Sequence, residues 1–311
     1  MYMDPILIAP CRLNCRTCAQ YQKVKNPCKG CHLRSTRKSE ICILKNCKSL
    51  SKTDPKLCAG CTAFPCRRLQ QFDQRYQNIT GAAGNGMGRS IALTLARQGI
   101  AVAVNYRQNR QAAQEIVSYL RDTGSTACAI QGNIFEKTDC ERLVQSTLER
   151  FGRIDICVIG PGANWNPEDL QHLESEKSFA DIAQEVLPVY HLMPLLLKEM
   201  SQNNGGRIIG ISTNMDIPSP AYSYNVAKSA RTQALLQSVQ QAWKVGVTIN
   251  VIAPGPVEPF EGFEEAKTYC SDSSVRQARQ RVTPQDIAQA VAYLCSDDAK
   301  YISGCVLPFR F

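Results

Sequence analysis

The chain has 311 residues, of which 44% are hydrophobic and 20% charged, a composition ordinary for globular proteins and long enough for one large domain plus a small one. No apolar run approaches the roughly 20 residues that span a bilayer. The opening Met1-Tyr2-Met3-Asp4-Pro5 lacks the basic segment and long apolar stretch of a secretory signal, so a cytoplasmic protein without membrane contact is expected.

Residues 1–75 form the first segment. They hold 15 Lys+Arg against 4 Asp+Glu, leaving 21 basic and 23 acidic residues for the rest of the chain, so the net charge of +9 belongs to this segment. Ten of the 16 cysteines also lie here: Cys11, Cys15, Cys18, Cys28, Cys31, Cys42, Cys47, Cys58, Cys61 and Cys66. Cys-x2-Cys pairs let two thiolates turn onto one tetrahedral ion at about 2.3 Å. The segment is too short to bury a core unaided, so a metal would supply its cross-links. Zinc is the favoured ion and an iron–sulfur cluster the alternative, because four cysteines serve both. With its closing Phe64-Pro65-Cys66-x-x-Leu69, the series resembles a small cysteine-rich domain of unknown function. Its basic surface could meet nucleic acid, but the segment has few aromatics among its charges and no recognisable reading helix. A solubilising role is preferred.

A second domain is expected over residues 76–311. Its opening, Tyr76-Gln77-Asn78-Ile79-Thr80, is a polar candidate for a first interior strand. Thr80-Gly81-Ala82-Ala83-Gly84-Asn85-Gly86-Met87-Gly88 is a glycine-rich loop opening a helix, where backbone N–H groups can approach a pyrophosphate. Apolar strands are expected at Ile100–Val104, Ala127–Ile130, Ile154–Ile159, Arg207–Ile211 and Val247–Ala253. They alternate with amphipathic helices at Ser90–Gln98, Arg110–Arg121, Asp139–Arg150, Phe179–Met200 and Ser223–Trp243. This alternation predicts an α/β fold, a doubly wound parallel sheet with helices on both faces. The remaining six cysteines are scattered singly through apolar segments, as buried free thiols are.

Over roughly residues 78–308 the chain resembles the short-chain dehydrogenases/reductases. The resemblance rests on the glycine loop, on Tyr224-Asn225-Val226-Ala227-Lys228, and on Asn250-Val251-Ile252-Ala253-Pro254-Gly255-Pro256-Val257. The later segments Thr283-Pro284-Gln285-Asp286-Ile287-Ala288 and Tyr301-Ile302-Ser303-Gly304 add to it. It implies a Rossmann-like domain that associates as a homo-oligomer and transfers hydride between nicotinamide and a small-molecule carbonyl or secondary alcohol. It also implies Tyr224 as acid/base, Lys228 as the cation that lowers its pKa and meets ribose, and Ser212 or Thr213 as the substrate-orienting hydroxyl. Cofactor contacts are implied for Gly81, Gly84, Gly86, Met87, Gly88, Asn133, Ile134, Gly160, Pro254, Gly255 and Val257.

At the end of the second strand of such a fold a carboxylate would hold the ribose 2′-OH of NAD. Asn105-Tyr106-Arg107 stands there instead, and a guanidinium suits the 2′-phosphate of NADP. NADP is therefore expected, with NAD as the alternative. Departures from the family pattern are one extra residue in the glycine loop, Gly160-Pro161-Gly162 for its Asn-Ala-Gly, Glu185 for its helical Asn, and Pro259 for a Thr. The rival reading is a non-catalytic metal-binding scaffold or sensor with a degenerate Rossmann domain.

Overall fold

The computed structural model describes residues 86–216, 219–277 and 281–310. The chain divides into two compact units, Met1–Gln77 and Asn78–Phe311. The cysteine-rich segment, the expected strand Tyr76–Thr80, Gly81 and Gly84 all lie outside the described residues. All of the described residues belong to the second unit.

The elements of this unit run α1 (Met87–Arg97), β1 (Val102–Tyr106), α2 (Arg110–Asp122), β2 (Ala127–Gln131), α3 (Lys137–Phe151), β3 (Ile156–Ile159), a 3-10 turn (Leu170–His172), α4 (Ser175–Gln202), β4 (Gly206–Ile211), α5 (Tyr222–Lys244), β5 (Val247–Ala253), α6 (Phe263–Ser271), α7 (Ser273–Gln277), α8 (Pro284–Cys295), a second 3-10 turn (Asp297–Ala299) and β6 (Val306–Pro308). Every strand pairing among the described residues is parallel. β1 pairs with β2, and β3-β4-β5-β6 follow one another in a second set. Among the described residues β1 and β3 are not paired with each other. Val102 and Val104 of β1, Ile156 and Val158 of β3 and Ile91 of α1 line a cavity of about 570 Å³.

Alternation along the strands sorts the core into two layers. Ile209, Ile211 and Ile252 pack with α1 and α8 on one face. Ile208, Ile249 and Val251 pack with α3, α4 and α5 on the other. β5 is buried at all seven positions, as a strand covered on both faces must be. The doubly wound α/β fold expected from the sequence is the fold observed.

Most expected elements lie within two residues of the observed ones; α1 starts three residues before Ser90 and α4 four before Phe179, and the two-residue shift of β1 has a local cause. β1 begins at Val102 rather than Ile100 because the preceding residues close α1. Gly99 has φ +79°, its N–H reaches Ala96 O at 2.9 Å, and Ile100 N–H reaches Leu95 O at 3.2 Å. That is a Schellman closure, which takes Ile100 out of the strand. α4 begins at Ser175, four residues before Phe179, because its first turn is polar and carries no apolar stripe.

The loop from α4 into β4 turns on Asn204 (φ 63°) and Gly205 (φ 116°). A Cβ on Gly205 would collide with the backbone carbonyl of Gly246, whereas one on Gly99 would meet open space. Both substitutions by Ala carry the left-handed penalty of about 1–2 kcal/mol. Gly205→Ala adds a backbone overlap that no side-chain rotation relieves. Chemical denaturation of the two variants is expected to show Gly205→Ala as clearly the less stable, and equal losses would contradict this reading of the turn.

Candidate active site

The predicted site residues within the described region gather along the carboxyl ends of the parallel strands, where ligands bind in open α/β sheets. Arg107 follows β1, Asn133 and Ile134 follow β2, Gly160 follows β3, Ser212 and Thr213 follow β4, and Pro254, Gly255 and Val257 follow β5. Gly86 precedes α1 in a conformation with φ 62° and ψ −136°, one that glycine adopts most readily. Met87 and Gly88 open the helix. Among the described residues no side chain caps the N-terminus of α1, and no acidic residue stands in its first turn.

Helix α5 carries two of the expected catalytic residues. Tyr224 and Lys228 lie one turn apart on one face, and the Lys228 ammonium sits 5.4 Å from the centre of the Tyr224 ring. Lys228 is 5% exposed. The Thr213 hydroxyl lies near enough to the Tyr224 hydroxyl to act on its pKa, and it donates to Pro254 O at 3.3 Å. Burial, reinforced by the nearby Glu185 carboxylate, raises the Tyr224 pKa above its ordinary value, while Arg231 and Thr213 oppose that rise. Burial lowers Lys228 to about 8, helped by Arg231 and resisted by Glu185.

Ser212, grouped with Thr213 on sequence, has a different task. Its hydroxyl bonds Lys228 O at 3.1 Å and the Thr232 hydroxyl at 2.7 Å. It ties β4 to the back of α5.

Two further residues complete the centre, one that sequence reasoning missed and one that it counted only as a departure from the family pattern. The first, Arg231, lies on the same face of α5 as Tyr224 and Lys228, seven residues after the tyrosine, and is 0% exposed. It donates to the carbonyls of Glu185 (3.1 Å), Gly160 (2.9 Å), Ile211 (3.1 Å) and Pro161. Its i+7 spacing from Tyr224 was the signal available. The second, Glu185, is also 0% exposed. It pairs with Lys228 at 3.0 Å and Arg231 at 2.8 Å and accepts from Ala163 N at 2.7 Å.

On the cofactor side, Arg107 has no carboxylate partner among the described residues, and its guanidinium lies 5.7 Å from the centre of the Phe135 ring. Asn105 is committed to the strand ends, donating to Ile130 O at 3.3 Å and Gly132 O at 3.0 Å. The Asn133 side-chain oxygen accepts from Phe135 N at 3.4 Å, and Asp139, also missed on sequence, accepts from Asn133 N at 2.7 Å. The carbonyl of Gly160 is taken by Arg231, and Gly255 N donates to Phe309 O at 2.8 Å. These bonds fix loop positions at the strand ends.

The comparisons agree with this geometry. Residues 81–309 match the family described as Enoyl-(Acyl carrier protein) reductase. The 3-oxoacyl-[acyl-carrier-protein] reductase FabG of Staphylococcus aureus (strain Mu50) is 29% identical over 235 residues, covering 73% of this chain and 92% of that protein. The hydroxynaphthalene reductase-like protein Arp2 of Metarhizium guizhouense is 30% identical over 251 residues, covering 74% and 91%. Among solved structures, a 7 alpha-hydroxysteroid dehydrogenase complexed with NADH and 7-oxo glycochenodeoxycholic acid is similar at TM-score 0.63 and 26% identity, covering 74% of this chain and 91% of that one. The angucycline C-6 ketoreductase LanV with bound NADP is similar at TM-score 0.62 and 26% identity, with the same coverage. The chain belongs to the short-chain dehydrogenase/reductase family, and its Rossmann-like unit is that of an NAD(P)-dependent oxidoreductase. The degenerate-scaffold alternative is not favoured. No helix among the described residues is long and apolar enough to cross a membrane, and no cluster of metal-binding side chains occurs among them.

The start of α5 is held from another segment. Ala221 offers no capping side chain, and Glu168 supplies the cap, accepting from Ser223 N at 2.6 Å while pairing with Lys177 at 2.9 Å. Burial alone would raise the Glu168 pKa, but the bonds from Lys177 and Ser223 outweigh it and hold the carboxyl below its ordinary value. A depressed folded pKa means stability that is fully present above the unfolded carboxyl pKa of about 4.3 and is lost as pH falls through the folded one. Glu168→Ala is expected to cost about 0.5–2 kcal/mol at neutral pH, the range for a lost cap. Thermal unfolding should show that deficit shrinking below about pH 4, and a deficit that stays constant under stronger acid would speak against the cap.

Proposed function

We propose that the second unit is an NADP-preferring carbonyl reductase, and the observation that carries this is the Thr213–Tyr224–Lys228 constellation at the strand ends. The cofactor fits the residues present: among the described residues α1 offers a helix N-terminus free of capping side chains and acids, and Arg107 offers a guanidinium with no carboxylate to neutralise it. When bound, NADPH would supply a hydride to the carbonyl carbon. Tyr224, Thr213 and Lys228 act on the oxygen side. As the C=O π bond opens, its electron pair moves onto oxygen, which takes the Tyr224 proton. A phenol whose pKa is raised stays protonated at neutral pH, the form a proton donor needs. Thr213 holds the same oxygen by its hydroxyl, and the Lys228 charge steadies the phenolate that forms. Lys228 would also meet the cofactor's ribose, and the loops at Gly86–Gly88, Asn133-Ile134, Gly160 and Pro254–Val257 would line the nucleotide.

The substrate is a small ketone. The relatives support two classes, 3-oxoacyl thioesters and fused-ring ketones. Turnover of acetoacetyl-CoA and of a 7-oxo bile acid with NADPH distinguishes them, and Tyr224→Phe should abolish either activity while leaving NADPH binding intact. Failure of both substrates, and of other ketones, would defeat the reading.

Cofactor preference rests on Arg107. Fluorescence titration is expected to show NADPH bound at least tenfold tighter than NADH, about 1.4 kcal/mol. Arg107→Asp should reverse the order, and equal affinities in the parent protein would remove Arg107 from the cofactor site.

For residues 1–75 the reading rests on cysteine spacing alone. Ten thiols could fill two four-ligand sites, with zinc favoured over an iron–sulfur cluster. Elemental analysis of reduced, anaerobically purified protein should find about two ions per chain. Metal-free, folded protein would refute this, and broad visible absorption would point to iron–sulfur.

A further inference from the structure

The centre of the second unit holds three charged side chains that are almost wholly enclosed. Glu185 reaches Lys228 with one oxygen at 3.0 Å and Arg231 with the other at 2.8 Å. The Arg231 Nε hydrogen goes to the main-chain carbonyl of Glu185, so the second oxygen meets the guanidinium as charge on charge, without its own hydrogen bond. The turn Gly160-Pro161-Gly162 is shaped around this carboxylate. Gly160 and Pro161 present their carbonyls to Arg231, and a Cβ on Gly162 would overlap the Glu185 carboxylate itself.

We propose that Glu185 and Arg231 are paired positioning residues, Glu185 holding the Lys228 ammonium beneath Tyr224 and Arg231 cancelling the field of that carboxylate at the phenol. The proposal deepens the reductase reading and rests on it. With all three residues charged the cluster carries one net positive charge, the charge a solitary lysine would bring. Without Glu185, two cations would face each other in a site from which water is excluded, and the lysine would give up its proton. Without Arg231, Glu185 would press its negative charge on Tyr224 unopposed and hinder the phenolate that must form. Each residue therefore makes the other tolerable.

The groups that face Lys228 are few. Tyr224 and Arg231 come from α5 and Glu185 from α4. Asp181, one turn before Glu185, lies within electrostatic reach of that carboxylate. The Ser212 hydroxyl bonds the Lys228 main-chain carbonyl, and the 160–163 turn meets Glu185 and Arg231 through backbone groups.

The test is titration of Lys228 in full-length protein labelled with ¹³C at the lysine ε carbons, its signal assigned with Lys228→Arg. In Glu185→Gln the midpoint should fall by about one unit or more, a tenfold weaker hold on the proton. In Arg231→Met it should rise, and in the double variant it should return towards the parent value. A midpoint unmoved in Glu185→Gln, or equal shifts of one sign in both single variants, would overturn the proposal. Should either single variant fail to fold, circular dichroism of the double variant decides. Recovery of the fold there supports the pairing, and a double variant worse than both singles defeats it. The titration needs no substrate, so a protein that reduces no ketone would sink the reductase reading and leave this result standing. Where turnover is found, the alkaline limb of kcat/KM should move with the Lys228 midpoint in each variant.

Discussion

A carboxylate removed from water at the heart of the domain has to be answered by cations, and much of the local architecture follows from that need. Bringing Glu185, Lys228 and Arg231 inside costs several kcal/mol of hydration per ion, and the loss is tolerable only with close partners and satisfied hydrogen bonds. The partners come from four places in the chain. Helix α4 brings Glu185, α5 brings Lys228 and Arg231, the 160–163 turn brings carbonyls and the Ala163 amide, and β4 ends with the Ile211 carbonyl. Removing one member leaves an uncompensated charge, which is worse than never having buried it. The cluster therefore locks α4 against α5 and both against the strand ends, and it fixes the helix that presents Tyr224.

This dependence explains why the architecture was legible in the sequence and the centre only partly so. Strand–helix alternation is a matter of spacing, and β5 at Val247–Ala253 could be drawn from its apolar run alone. The Tyr224–Lys228 spacing likewise disclosed two side chains that share one face of α5. Glu185 and the Gly160-Pro161-Gly162 turn, in contrast, looked like separate departures from the family pattern, each reducing the case for catalysis. In three dimensions they are one feature. Arg231 connects them, and its i+7 spacing from Tyr224 says nothing of acceptors that lie 20, 46, 70 and 71 residues away. Long-range pairing is what a linear reading cannot supply.

The cysteines of the second unit show a similar division between type and place. Cys140, Cys157 and Cys295 lie in the layers of the core, and burial pushes their thiols up to about 11, 12 and 12. Thiols held protonated are poor nucleophiles and poor metal ligands. Isolation within apolar segments was the sequence signal for that behaviour, and the thiols of the first 75 residues differ from them in spacing along the chain.

Helix α5 is held at its middle by charge and at its start by a residue from the 161–170 loop. The loop is fastened twice to the approach to α5, through Glu168 to Ser223 N and through the Trp165 indole to the Ser219 hydroxyl at 2.9 Å. Glu168 N also donates to Pro220 O at 2.7 Å. A segment that follows β3 thus forms one wall with the segment that delivers Tyr224. Any force that shifts this wall acts on the first turn of α5, which carries the Tyr224 hydroxyl, while the Lys228 end stays anchored by Glu185. The phenol is therefore the part of the site most responsive to what lies against the loop, and the lysine the part least responsive.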